Sequence, residues 1–175
     1  MIQRVRQFYR ALTATITAAD KVWIDQSIPA AAQKLFYAMH PADQYHALHV
    51  ARTALALADK SNMIVDRSFL CRCALLHDVG RRKGDLDIWG KVFTVLICHF
   101  CPCLADKLAC PQAEAFWEKP GYAIYVYKHH AAIGAQRLRD LGFMAEAAVI
   151  ACHHRQPAAG DSPVLCLLRA ADERN

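Results

Sequence analysis

The sequence predicts an all-α fold built as a single domain. Three observations carry that prediction. Apolar residues recur at spacings of three and four rather than alternating. No segment combines strand-like alternation with a hairpin turn. Seven glycines and seven prolines in 175 residues leave few breaks between long periodic stretches.

The length matches one ordinary domain, since domains run roughly 100–200 residues. A hydrophobic fraction of 55% with 21% charged residues excludes a disordered chain and allows a sizeable core. Lys and Arg number 21 against 16 Asp and Glu, a net charge of +5. That balance is small and contains no run of five or more like charges, so no nucleic acid is expected as partner. It suits a small anionic substrate. The best candidate span, Val92 to Cys98, falls well short of the ~20 residues that cross a bilayer. The N-terminus has arginines but no uninterrupted apolar stretch and no small-residue cleavage site. No signal peptide and no transmembrane segment are expected, and the location predicted is cytoplasmic.

Residues 1–40 read as an N-terminal helical extension packed on the core, and 41–175 as the main domain. A first helix over Ile2 to Ala19 puts Ile2, Val5, Tyr9, Leu12 and Ile16 on one face. A short helix runs from Pro29 to about Met39 and ends near Pro41. The next spans about Asp43 to Lys60. At 100° per residue, Ala47, Val50, Ala51, Ala54, Leu55 and Leu57 form one arc, with His46 at its edge and His49 outside. A helix over about Arg67 to Asp78 is stopped by Gly80. The basic loop Arg81-Arg82-Lys83-Gly84-Asp85 follows. Further helices are expected at Trp89 to Phe100 and Leu104 to Trp117, with a turn at Pro120-Gly121. The last three run over Lys128 to Leu141, closed by Gly142, then Met144 to His154, then Pro163 to Asp172. Ser162 before Pro163 is a good N-cap and first-turn pair.

Several inward helix positions hold imidazoles or carboxylates where apolar residues belong. His77 continues the line Leu70, Cys73, Ala74, and Asp78 continues Cys71, Ala74, Leu75. His153 and His154 lie one turn beyond Val149 and Ile150. Asp172 follows Leu165 and Leu168, and His130 precedes the inner residues Ile133, Gly134 and Leu138. Burying such groups is costly unless something binds them. A shared divalent transition metal (Mn, Fe, Co, Ni or Zn) accounts for all of them together, because neutral imidazoles and carboxylates form a matched ligand set.

The order of these residues resembles the HD-domain superfamily of metal-dependent phosphohydrolases. His46 stands in HALHVA, His77-Asp78 in LLHDVG (close to the HDIG form), and Asp172 in RAAD. His130 in HHAAIGAQRL and the pair His153-His154 resemble the added histidines of the two-metal branches. The resemblance covers about Asp43 to Asp172. It implies a helical HD-domain bundle in which His46, His77, Asp78 and Asp172 hold one ion. Asp78 would bridge to a second ion held by His130 and by His153, His154 or both. Ala42 stands where the HD-GYP branch has glutamate, and RQPAAGDSP where it has its Gly-Tyr-Pro motif, so that branch is not the match. Arg81 stands where many relatives carry lysine.

The activity implied is hydrolysis of a nucleotide-type phosphoester or phosphoanhydride. A metal pair lowers the pKa of bound water toward about 7. Asp78, Arg81 and Lys83 are the expected catalytic residues, with Arg81, Lys83 and Arg155 balancing substrate charge. The alternative is a non-catalytic module that keeps the fold to sense a nucleotide or bind a partner.

Cys98, Cys101, Cys103 and Cys110 form a second candidate metal site, with a C-x₂-C core suited to structural zinc. Free thiols, buried or half-buried, are the reading preferred here, as for Cys71, Cys73, Cys152 and Cys166.

Overall fold

The structure, a computed structural model, describes residues 15–84, 88–112 and 119–175. Its described residues form α-helices joined by turns, with no β-sheet, in agreement with the all-α expectation. In chain order these are α1 (Ala18–Ser27), α2 (Ala30–Tyr37), α3 (Pro41–Lys60), α4 (Arg67–Leu76), α5 (Ile88–Phe100), α6 (Pro102–Leu108), α7 (Lys119–Asp140), α8 (Met144–Ile150) and α9 (Pro163–Asp172).

Short-range chemistry fixes the starts. The Thr17 hydroxyl accepts from the Asp20 backbone N–H at 3.1 Å, and the Asp20 carboxylate accepts from Thr17 N–H at 3.0 Å, a capping box. Asp66 accepts from the backbone of Ser68 and Phe69 at 2.9 and 3.0 Å, and Ser162 from that of Leu165 at 3.2 Å. Gly142, at φ +85°, ends α7 in the left-handed conformation that glycine adopts without strain.

One core unites α1–α4 with α8, α9 and the C-terminal part of α7. Phe36, Leu48, Leu70, Leu75, Leu138, Ile150 and Leu168 are fully buried in it. Along α3, Ala47, Val50, Ala51 and Ala54 are buried as the periodicity predicts, while Leu55 and Leu57 are half-buried. The α1–α2 pair contributes Ile24, Ile28, Ala32 and Phe36 to the same core.

Several boundaries differ from the expectation. The helix expected over Ile2 to Ala19 falls mostly outside the described residues, and α1 begins near its expected end. The helix expected to reach Trp117 ends at Leu108, and 113–118 lie outside the described residues. Pro120 and Gly121 do not make a turn. They occupy the first turn of α7, where proline's missing N–H costs nothing. A Cβ on Gly121 would come within 2.5 Å of the Leu108 carbonyl oxygen, so close packing requires glycine there. Finally, α4 ends at Leu76 and α8 at Ile150, so His77-Asp78 and His153-His154 stand in turns just past helix ends.

Candidate metal centre

Those two turns meet beside α7, with the His77 and His153 ring centroids 5.4 Å apart. The turn at 77–80 is held there by backbone contact: a Cβ on Gly80 would lie 1.9 Å from the His130 carbonyl oxygen. On α7, Gly134 matches it, with an added Cβ 3.0 Å from Gly80 N. Arg137 donates to the Val79 carbonyl oxygen at 2.7 Å. The turn at 151–154 is tied to α9 by Arg169, which donates to the carbonyl oxygens of Cys152 (2.7 Å) and His153 (3.1 Å) and pairs with Asp161.

All seven residues expected to ligate metal come together. They form two groups that could each hold an ion: His46, His77 and Asp172, and Asp78, His130, His153 and His154. In each group the candidate ligand atoms lie within 4.8 Å of one another. His46 Nε2 is 3.0 Å from Asp172 Oδ1, and His77 Nε2 is 3.6 Å from the same oxygen. The groups meet where His77 Nε2 lies 3.6 Å from Asp78 Oδ2. Beyond it, Asp78 Oδ1 is 3.3 Å from His130 Nε2, which is 2.8 Å from His154 Nε2. His77, Asp78, His130 and His153 are buried, and His154 is exposed.

The three buried imidazoles share one arrangement. Nδ1 of His77, His130 and His153 donates to the carbonyl oxygen three residues back, in Ala74, Tyr127 and Ile150, at 2.8, 2.8 and 2.6 Å. With Nδ1 donating to backbone, each ring in its neutral form presents the Nε2 lone pair to the centre, which is the ligating tautomer. His77 Nε2, His153 Nε2 and Asp78 Oδ1 are buried with no hydrogen-bond partner. Buried polar atoms are nearly always satisfied, so three unsatisfied atoms spread over the two adjoining groups fit a site built to hold cations. The donor set of imidazole nitrogen and carboxylate oxygen is that of a divalent transition metal.

The electrostatics divide the histidines. Burial, then the Arg81 charge, pushes His130 down to about 3, and burial with His77 and His154 pushes His153 down to about 4. Burial also lowers His154. His77 goes the other way. Burial opposes its charge, but Asp78 and Asp172 outweigh burial and push it up to about 9. Burial would raise Asp78 and Asp172. Instead Arg81 and His77 hold Asp78 well below the usual carboxylate range, and the His46 hydrogen bond with the nearby His77 holds Asp172 below it.

The basic residues separate. Arg81 turns inward, its side chain only 24% exposed, and contacts Asp78 and His130. Lys83 is exposed, and its backbone N–H donates to the Ala38 carbonyl oxygen at 2.8 Å. Arg155, beside His154, is exposed and directs its guanidinium to Cys152 Sγ at 3.3 Å. Sequence reasoning missed Asp43, buried on α3 one turn before His46 and 3.9 Å from Arg81. Its signal was an acidic residue three positions before a candidate ligand. Among the described residues, neither group that could hold a metal includes a cysteine. All eight cysteines are free, with Cys101, Cys103 and Cys166 exposed rather than buried.

No protein-family model matches the chain, and no curated protein or solved structure matches it. No helix among the described residues is long and apolar enough to cross a membrane.

Proposed function

We propose that this chain is a metal-dependent phosphohydrolase of the HD-domain type, acting on a nucleotide-type phosphoester or phosphoanhydride. The observation that carries the reading is the convergence of unpartnered His77 Nε2, His153 Nε2 and Asp78 Oδ1 beside Asp172, His46, His130 and His154. The H…HD…H…HH…D order of these ligands supports assignment to that superfamily.

His46, His77 and Asp172 would hold one divalent ion, and Asp78, His130, His153 and His154 a second, with Asp78 between them. A bound divalent ion supplies Lewis-acid activation of water and charge for the phosphoryl oxygens. The chain's own residues do the rest. The backbone carbonyls of Ala74, Tyr127 and Ile150 fix ring orientation, and Asp78, bordering both groups, is placed to orient an attacking water. Exposed His154 marks the side from which a substrate approaches, with Arg155 next to it and Lys83 on the exposed loop after the 77–80 turn to meet anionic charge.

The test combines elemental analysis of protein purified without chelator with a screen across nucleotide monoesters, diesters and anhydrides. Chelator-sensitive hydrolysis is the expected result, and Asp78→Ala should lose metal and turnover together. Full activity in metal-depleted protein refutes the reading. Tight nucleotide binding by a metal-free wild type that hydrolyses nothing moves it to the sensing module.

A further inference from the structure

Arg81 lies where a cation is needed. One guanidinium nitrogen is 3.0 Å from Asp78 Oδ2 and 3.9 Å from Asp43 Oδ1, and the other is 3.2 Å from His130 Nε2. Because His130 Nδ1 already donates to Tyr127, its Nε2 offers a lone pair, which Arg81 at 3.2 Å and His154 Nε2 at 2.8 Å both face. Asp78 and His130 are two of the ligands of the second group. The other group has no such contact: His46, His77 and Asp172 face one another, and His77 Nε2 is unsatisfied.

Charge leads to the same asymmetry. Asp43, Asp78 and Asp172 bring three negative charges to the cluster. One divalent ion and one guanidinium match them, whereas two divalent ions with Arg81 in place leave an excess of buried positive charge. A planar guanidinium also offers several donors in a fixed fork, so it can bind a carboxylate and an imidazole at once, as an ion does.

We propose that Arg81 is the built-in second cation of this centre. The chain takes one divalent ion tightly at His46, His77 and Asp172. A second ion enters the Asp78–His130–His154 side only by displacing the Arg81 side chain. The inference rests on the metal-centre reading above and adds an order of loading that the ligand set alone does not contain.

The experiment titrates Mn²⁺ into metal-free wild type and into Arg81→Met and Arg81→Gln, with helical circular dichroism confirming the fold of each. Mn²⁺ is chosen because it favours nitrogen and oxygen ligands over the exposed thiols. Wild type should bind one equivalent with the second at least about tenfold weaker, and the neutral variants should close that gap by about tenfold. Electron paramagnetic resonance adds a signature that loss of a merely structural contact would not produce. An isolated-ion spectrum in wild type at two equivalents should become a spin-coupled pair in the variants. Two equally tight equivalents in wild type overturn the proposal without any variant, as does an unchanged second affinity in both variants. Failure of any chain to bind Mn²⁺ overturns the metal-centre reading as well, so the two failures are distinguishable.

Discussion

Arg169 holds the backbone of His153: its guanidinium donates to the His153 carbonyl oxygen at 3.1 Å and to that of Cys152 at 2.7 Å. Since Arg169 lies one turn before Asp172 on α9, one side chain fixes the position of one ligand group relative to the other. Removing it leaves the His153 carbonyl without its donor and the Cys152 carbonyl with the Arg155 N–H alone. Arg169→Ala should lower metal affinity by roughly 10–100-fold, as loss of outer hydrogen-bond partners does at metal sites. Competition against a chromophoric chelator measures this, and Asp161→Ala, which spares both carbonyl bonds, should have a much smaller effect.

The stability of the metal-free protein should peak near neutrality. His130 and His153, held down to about 3 and about 4, stay neutral in the folded chain while the unfolded chain takes up protons near 6.5. The unfolded state then binds more protons, so stability falls as pH drops below 6.5. His77, pushed up to about 9, keeps its proton in the folded state above 6.5. Its contribution is complete below 6.5 and is lost as pH rises through about 9. Melting temperature against pH, measured after chelation, should therefore fall on both sides. Saturating metal should remove the alkaline fall, because a ligated His77 has no proton to lose.

Gly80→Ala should damage both fold and centre. The new methyl would overlap the His130 carbonyl, which is backbone and cannot rotate aside. Forced shifts of this kind cost about 1–3 kcal/mol or more. Gly142→Ala is the control. It sits at φ +85° with nothing within 4 Å of an added Cβ, so it should cost only about 1–2 kcal/mol and leave metal binding intact. Denaturant unfolding and metal content of the two variants separate these effects.

Replacing Cys101 and Cys103 with serine should change neither metal content nor melting temperature appreciably. Both thiols are exposed and free, and neither belongs to a group among the described residues that could hold an ion. Loss of one zinc equivalent with a large fall in melting temperature would falsify this.

How much was legible in the sequence follows from the range of the interactions involved. The α9 start was readable because Ser162 and Pro163 act within one turn. The ligands were readable because His77, Asp78, His153 and Asp172 interrupt apolar lines on predicted inner faces. Helix ends at Leu76 and Ile150 were not. A turn that keeps winding continues the spacing, and only lost backbone bonds distinguish it. Nor was the inward direction of Arg81, which Asp43 and His130 set from 38 and 49 positions away. The close approach of Gly80 to α7 was hidden for the same reason. Gly80 announced a helix stop, and its contact partner lay 50 residues on.

The hydrogen bonds from Nδ1 of His77 and His153 to Ala74 and Ile150 have a kinetic consequence. They close the last turns of α4 and α8 whether or not an ion is present, so these rings need no tautomer exchange and no rotation when one arrives. Capture on the His77 side is then limited by diffusion, by stripping water from the incoming ion and by release of the His77 proton, and stopped-flow mixing should find it faster as pH rises toward about 9. A slow phase, where one exists, belongs to the opposite side of the cluster, where a side chain must leave before an ion can enter.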